Sequence, residues 1–341
     1  MSDFVRQALV RWSPIVAAFI WLGVVAAQLV DYTHAEKFAN DFSVYWRVAN
    51  RAPDLAYMQS GRYPFPYFPT MLLWISPLSL SPRWPAYFAF VAISAAAFVL
   101  VCRPYLSKPQ IALAMASPPF VRAFSTGQVS IALTALLLWC CGTSGIAAGI
   151  GLGVIASIKP QLVVMAPLML ALNRDWRALV AAGGTFLLTA LASIAIFGVE
   201  RWPEWLALMD YFHRAVSDTN IIDGVVSFAG IAEKFGLAAL PALLLGLTVG
   251  GALTYACRNA EPLGKAGAIV TGSLIASPYG WAYDLIGVVP FLVLAIYQGR
   301  IWALLAVASL PQPIPIAIAV FELWAGRKSP DVGNRSAAIP S

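Results

Sequence analysis

Residues 178–198 read ALVAAGGTFLLTALASIAIFG, without one charged side chain. A helix crossing the hydrocarbon core of a bilayer needs about 20 such residues. A helix apolar on every side has to be covered all round, by protein or by lipid. Three more uninterrupted runs lie at 14–30, 84–102 and 237–256. Shorter ones lie at 109–121, 128–142, 144–158, 161–172, 264–277 and 284–298, and a last run at 301–323 is interrupted by Pro311, Pro313 and Pro315. Hydrophobic residues make up 60% of the 341 and charged residues 11%, with a mean hydropathy of +0.75. A soluble chain carries about 25% charged residues, so too little polar surface is available here to coat a particle in water. The solvent for most of the chain is therefore lipid. The expected fold is all-α, a polytopic transmembrane helical bundle of roughly 10–11 spans, forming one domain over residues 1–341.

The net charge is +6, but the Lys and Arg residues fall in short tracts between apolar runs, as in loops beside anionic headgroups. No basic cluster is dense enough for a nucleic-acid groove. Arg6 and Arg11 precede the first run, which is read as an uncleaved helix with its N-terminus in the cytoplasm. That choice makes the short basic segments around Arg103 and Lys108, Arg174 and Arg177, Arg258 and Lys265, and Arg300 cytoplasmic. Two long loops, 31–83 and 199–236, then face outward, and chemistry on water-soluble groups belongs there. The tail, 324–341, is expected to be flexible. Cys102, Cys140, Cys141 and Cys257 sit in or beside apolar runs without a CxxC pair, and are read as packed free thiols.

In the first outer loop, residues 40–51 begin with cap-type Asn40 and Asp41. Phe42, Tyr45, Trp46 and Ala49 then recur at helical spacing, opposite Arg47, Asn50 and Arg51. The pattern predicts an amphipathic helix in the membrane interface. Asp41 reads either as a helix cap or as a general base taking a proton from a sugar hydroxyl. Further on, Pro64, Pro66 and Pro69 bar a regular helix, and Tyr67 and Phe68 suit either the headgroup belt or stacking on a sugar.

Asp41-Phe42-Ser43-Val44-Tyr45, Tyr67-Phe68-Pro69 with Pro77-Leu78, Gly127-Gln128, Lys159-Pro160 and Ser277-Pro278-Tyr279-Gly280-Trp281 follow one another in the order of the motifs of glycosyltransferase family 87, which this chain resembles from about residue 14 to 300. The resemblance implies a GT-C type fold and a hexosyltransferase of the cell envelope. It implies transfer of a sugar, often mannose, from a polyprenyl-phosphate donor to a lipid or glycan acceptor on the extracytoplasmic face of the inner membrane, with inversion. The first-loop carboxylate, here Asp41, would be catalytic. Two departures stand out: Phe68 and Thr70 flank Pro69 where the family has a Tyr-Pro-Pro element, and Tyr283 and Asp284 stand where a histidine is expected.

A polyprenyl-phosphate donor leaves as a phosphate, which cations must stabilise. Lys159, at a helix break before Pro160, reads as a phosphate ligand or as a lysine reaching to the headgroups. Arg122 and Arg62 are the other phosphate candidates. Gln128, Tyr45, Tyr67, Trp281 and Asp284 are the candidate substrate contacts. Gly145, Gly149, Gly151 and Gly153 read as close helix packing and not as a phosphate loop. Asp210 and His213, at i, i+3, are a two-residue cluster too small to assign as a metal or acceptor site; no metal ligand is assigned and no cofactor is certain, with a divalent metal left open. The rival classes are a transporter or lipid flippase, and a polysaccharide polymerase or ligase.

Overall fold

The computed structural model describes residues 3–34, 38–50, 56–57, 64–217, 224–307 and 314–326. In chain order its α-helices are α1 (Asp3–His34), α2 (Asn40–Asn50), α3 (Met71–Ile75), α4 (Arg83–Cys102), α5 (Lys108–Met115), α6 (Pro118–Thr126), α7 (Ser130–Cys141), α8 (Gly145–Ile158), α9 (Ala166–Leu172), α10 (Trp176–Phe197), α11 (Arg201–Ser217), α12 (Phe228–Lys234), α13 (Ala239–Ala256), α14 (Pro262–Ile275), α15 (Val289–Tyr297) and α16 (Ile314–Gly326). Among the described residues there is no strand, only an isolated bridge between Val225 and Trp281. Arg62 and the tail beyond residue 326 lie outside the described residues, as do the side chains of Asp210 and His213.

Among the described residues, four helices are long and apolar enough to cross a membrane: Gln7–Val30 within α1, α4, α10 and α13. They correspond to the four uninterrupted apolar runs. Shorter apolar helices, among them Ser130–Cys141 and Gly145–Ile158, accompany them. The chain is thus an all-α, multi-pass membrane protein. The remaining runs are broken for local reasons: Ser117-Pro118 separates α5 from α6, Pro160 ends α8, and a 3-10 turn at Ala282–Gly287 precedes α15. Each proline removes a backbone donor and blocks helix continuation. Freed backbone groups of this kind are tolerated at membrane depth only when buried in protein or lining a cavity.

Packing places these breaks together. The face of α10 carrying Val180, Leu187, Leu188, Leu191 and Ile196 is exposed, as suits a helix solvated by lipid. Its other face lies close on α8, where a Cβ on Gly153 would meet the Ala182 carbonyl at 2.6 Å and one on Gly149 would strike the Ala178 carbonyl. Small residues permit this backbone approach. At the centre α14 is buried along most of its length, packing on α7, α13, α15 and α16. Among the described residues no disulfide is formed, and Cys102, Cys140 and Cys257 are buried.

The first-loop helix forms over Asn40–Asn50 with Phe42, Val44 and Tyr45 buried. Its aromatic face turns into the protein, against α3, α4, α6 and the 3-10 turn Ser76–Leu80. Phe42 meets the rings of Tyr87 and Phe90 at 5.5 and 5.6 Å. This seat is richer than lipid would be, because it adds ring–ring contacts and hydrogen-bond partners for Tyr45. The second long loop braces the first: the Trp205 indole on α11 donates to the Pro66 carbonyl (3.3 Å) and lies edge-on to Phe68 (4.6 Å).

Candidate active site

Four chain breaks supply the polar side chains of one site. α6 closes on Gly127 in the left-handed conformation (φ +72°), after which the Gln128 amide donates back to the Ala123 carbonyl at 2.8 Å. This exit sets Arg122 and Thr126 on α6 next to Gln128 and Ser130 at the start of α7. α8 stops at Lys159 because Pro160 follows, and the lysine side chain leaves the helix at that break. After α14, the stretch 277–281 is held by the second long loop: Val226 N–H donates to the Gly280 carbonyl (2.7 Å) and the Ser227 hydroxyl to the Pro278 carbonyl (2.9 Å). The following 3-10 turn carries Tyr283 and Asp284 inward. Finally, Ala39 adopts φ +53° and its N–H donates to the Ser125 carbonyl at 2.8 Å. That strained, buried turn docks the start of α2, and with it Asp41, onto the end of α6.

Two hydrogen-bonded groups result. In the first, Lys159 Nζ donates to Asp284 Oδ1 at 2.6 Å and to Ser130 Oγ at 3.0 Å, while Ser130 Oγ donates to the same Oδ1 at 2.6 Å. The lysine also lies 4.7 Å above the Tyr283 ring, which the Arg122 guanidinium approaches at 5.8 Å. In the second, the Tyr45 hydroxyl is 2.7 Å from that of Tyr67, and Gln128 Oε1 accepts from Tyr45 (3.0 Å) and Tyr67 (3.3 Å). Asp41 joins the two groups. It sits in the first turn of α2, within side-chain hydrogen-bond reach of Thr126 and Gln128 and in the field of Lys159 and Arg122. Trp281 stacks parallel on Tyr283, centroids 6.2 Å apart, beside Gly224.

The electrostatics follow from burial. Lys159 and Asp284 are both buried and neutralise one another, which is how a charge persists away from water. Asp284 Oδ2 has no hydrogen-bond partner. Arg122 is half-buried, and among the described residues no carboxylate is within ion-pair distance of it; its guanidinium is the cation left over. Asp41 is half-buried. Desolvation raises its carboxyl above the ordinary carboxylate range, opposed by the Thr126 and Gln128 hydrogen bonds and by Lys159 and Arg122. Burial also holds the Tyr45, Tyr67 and Tyr283 phenols well above their usual range, so they are neutral donors.

Every site residue expected from sequence that falls among the described residues contributes to this cluster: Asp41, Tyr45, Tyr67, Arg122, Gln128, Lys159, Trp281 and Asp284. Lys159 is buried and ion-paired with Asp284, a partner that neither sequence reading of this lysine named. Thr126 and Ser130 were missed. A hydroxyl at the edge of an apolar run reads as an ordinary helix-end residue, and only its place two residues either side of Gln128 hinted at more. Among the described residues no group of three or more His, Cys, Asp or Glu is placed to hold a metal ion.

A buried ion pair, a half-buried carboxylate and an arginine with no carboxylate in ion-pair distance among the described residues are thus gathered where the helices of a membrane protein break. The family model for glycosyltransferase family 87 matches residues 65–278. The chain belongs to that family, and it is a membrane glycosyltransferase. The matched range contains Tyr67, Arg122, Gln128 and Lys159, whereas Asp41, Tyr45, Trp281 and Asp284 lie just outside it. No curated protein and no solved structure matches the chain.

Proposed function

We propose that this glycosyltransferase moves a hexose, mannose in the first instance, from a polyprenyl-phosphate donor to a hydroxyl of a lipid or glycan acceptor on the extracytoplasmic face of the inner membrane. The observation that carries the proposal is the half-buried Asp41 carboxylate in the field of the Arg122 guanidinium, which has no carboxylate in ion-pair distance among the described residues. Asp41 takes the proton of the acceptor hydroxyl as its oxygen attacks the anomeric carbon. The bond from that carbon to the phosphate oxygen breaks, and the polyprenyl phosphate departs with the electron pair. A single displacement of this kind inverts the anomeric centre. Arg122 stabilises the negative charge gathering on the departing phosphate. Lys159 adds the N–H that Ser130 and Asp284 leave unused, and the Trp281 face and the Tyr67 edge border the sugar. A carboxyl lifted above its ordinary range is better matched to proton transfer near neutrality than a surface aspartate. The outward placement is supported by the dense basic tracts of the short opposite loops.

The test uses purified full-length protein in lipid and a panel of polyprenyl-phosphate monosaccharides. Transfer from at least one is expected, and Asp41→Asn should abolish it in a protein that still inserts and folds. Full activity in that variant would remove the mechanism. Transfer from oligosaccharide-lipid donors alone would assign the chain as a polymerase or ligase instead.

A further inference from the structure

Between Trp281 and Asp284 the chain places one more ring in the site. Tyr283 is half-buried, and two cations meet its ring: Lys159 Nζ lies 4.7 Å from the centroid and the Arg122 guanidinium carbon 5.8 Å. A cation within about 6 Å of a ring centroid is attracted to the negative face of the ring. The two cations differ in what else holds them. Lys159 is fixed by Asp284 at 2.6 Å and by Ser130 at 3.0 Å, so the ring adds little to its position. Arg122 has no carboxylate in ion-pair distance among the described residues, and among them the ring is the contact that faces its charge. The ring is itself firmly placed. Asp284, the next residue, is tied to Lys159, and Trp281 lies parallel to Tyr283, with 4° between the planes and 6.2 Å between centroids. Trp281 is bridged to Val225, and Gly224 brings the backbone up to both partners: a Cβ there would stand 3.4 Å from the Trp281 ring and 3.9 Å from Arg122 Nη2.

We infer that Tyr283 is a positioning residue whose ring seats the Arg122 guanidinium, so that this cation is ordered in the site before the donor phosphate arrives. The seat rests on the contacts above; its meaning for the reaction rests on the reading of Arg122 as the phosphate ligand. Ordering a long side chain while a ligand binds weakens the binding, and a side chain ordered beforehand avoids that loss. A ring suits this task better than a carboxylate. Asp284 cancels the charge of the lysine it holds, whereas Tyr283 attracts the arginine and leaves its charge whole for a phosphate. By balancing Lys159, Asp284 also limits the repulsion between the two cations that share the ring. The ring face, and not the phenol hydroxyl, provides the seat.

The experiment takes two readings on full-length protein in lipid nanodiscs. The first is the NMR signal of the Arg122 Nε–H group in arginine-labelled protein, assigned by its loss in Arg122→Gln. The ring current of Tyr283 displaces this signal; Tyr283→Leu should abolish the displacement, and Tyr283→Phe should keep it. The second is the binding of a polyprenyl phosphate that carries no sugar. Tyr283→Leu should raise its Kd about fivefold, and Tyr283→Phe should recover most of that loss. With Arg122→Gln already in place, Tyr283→Leu should weaken binding no further; a full fivefold loss in that background would mean that the ring acts elsewhere, and overturns the inference. An unmoved Arg122 signal in Tyr283→Leu overturns it as well. Should Tyr283→Leu fail to insert, the wild type decides, and an Nε–H signal at the position of a solvated arginine overturns the inference. A displaced signal together with wild-type binding of polyprenyl phosphate by Arg122→Gln would keep the seat and remove the phosphate reading. Weakened binding in Arg122→Gln with an unmoved signal in Tyr283→Leu would do the reverse.

Discussion

Replacing Gly127 with alanine should disable the enzyme while leaving most of its fold in place. Two costs add at this position. With φ at +72°, an L-residue is strained by about 1–2 kcal/mol. A Cβ there would also stand 2.5 Å from the Cβ of Phe42 and 3.1 Å from the Tyr87 ring. Carbon atoms rest at about 3.5–4.0 Å, so α2 and the end of α6 must part by about 1 Å. The opposing atom is a Cβ on a helix backbone, and trimming the phenyl ring gives no relief. Asp41 is the residue next to Phe42, and Gln128 is the residue next to Gly127. The displacement therefore falls between Asp41 and Gln128. Misplacement of this size at a reacting group costs about a hundredfold in rate. Sugar transfer under saturating donor, read alongside a thermal melt, should show kcat down about a hundredfold with a stability loss of about 2–5 kcal/mol, the strain and the overpacking together. Gly183→Ala is the control, because nothing lies within 4 Å of a Cβ there; it should leave both readings unchanged. Wild-type kcat in Gly127→Ala would refute the reasoning, since it would mean the site does not depend on the seat of α2.

The buried pair gives a second expectation. Lys159→Met strands the Asp284 carboxylate away from water and should cost about 3–5 kcal/mol, whereas the double variant Lys159→Met/Asp284→Leu should recover most of that loss; thermal melts in one detergent decide, and a double variant no more stable than the single one would show that the pair is not coupled. A third concerns pH. Asp41 binds a proton more tightly in the folded protein than in the unfolded chain, so its contribution to stability is complete below the ordinary carboxylate value and is lost as pH rises through the raised folded value. Asp41→Asn should therefore melt no lower than wild type at neutral pH, and a wild-type protein that melts higher would mean that Lys159 and Arg122 outweigh the desolvation.

How far the sequence reached depended on the range of the interaction involved. The four long helices were legible because their cause is local: an uninterrupted apolar run of membrane length needs no partner to be read. The break at Pro160 was legible for the same reason, since a missing donor acts within a few residues. The shorter runs were read as further candidate spans, and α14 was among them; apolarity alone does not tell a buried central helix from a lipid-facing one. Side-chain partnerships failed most clearly. Lys159 and Asp284 are 125 positions apart, so nothing near either residue announces that the lysine is already neutralised. Without that partner Lys159 looks like the first phosphate ligand of the site. With it, the free positive charge moves to Arg122, on the helix whose exit at Gly127 also seats Asp41. Cation and carboxylate are then held by adjoining turns of α6 and α2, so any strain that separates those helices acts on both halves of the proposed displacement at once.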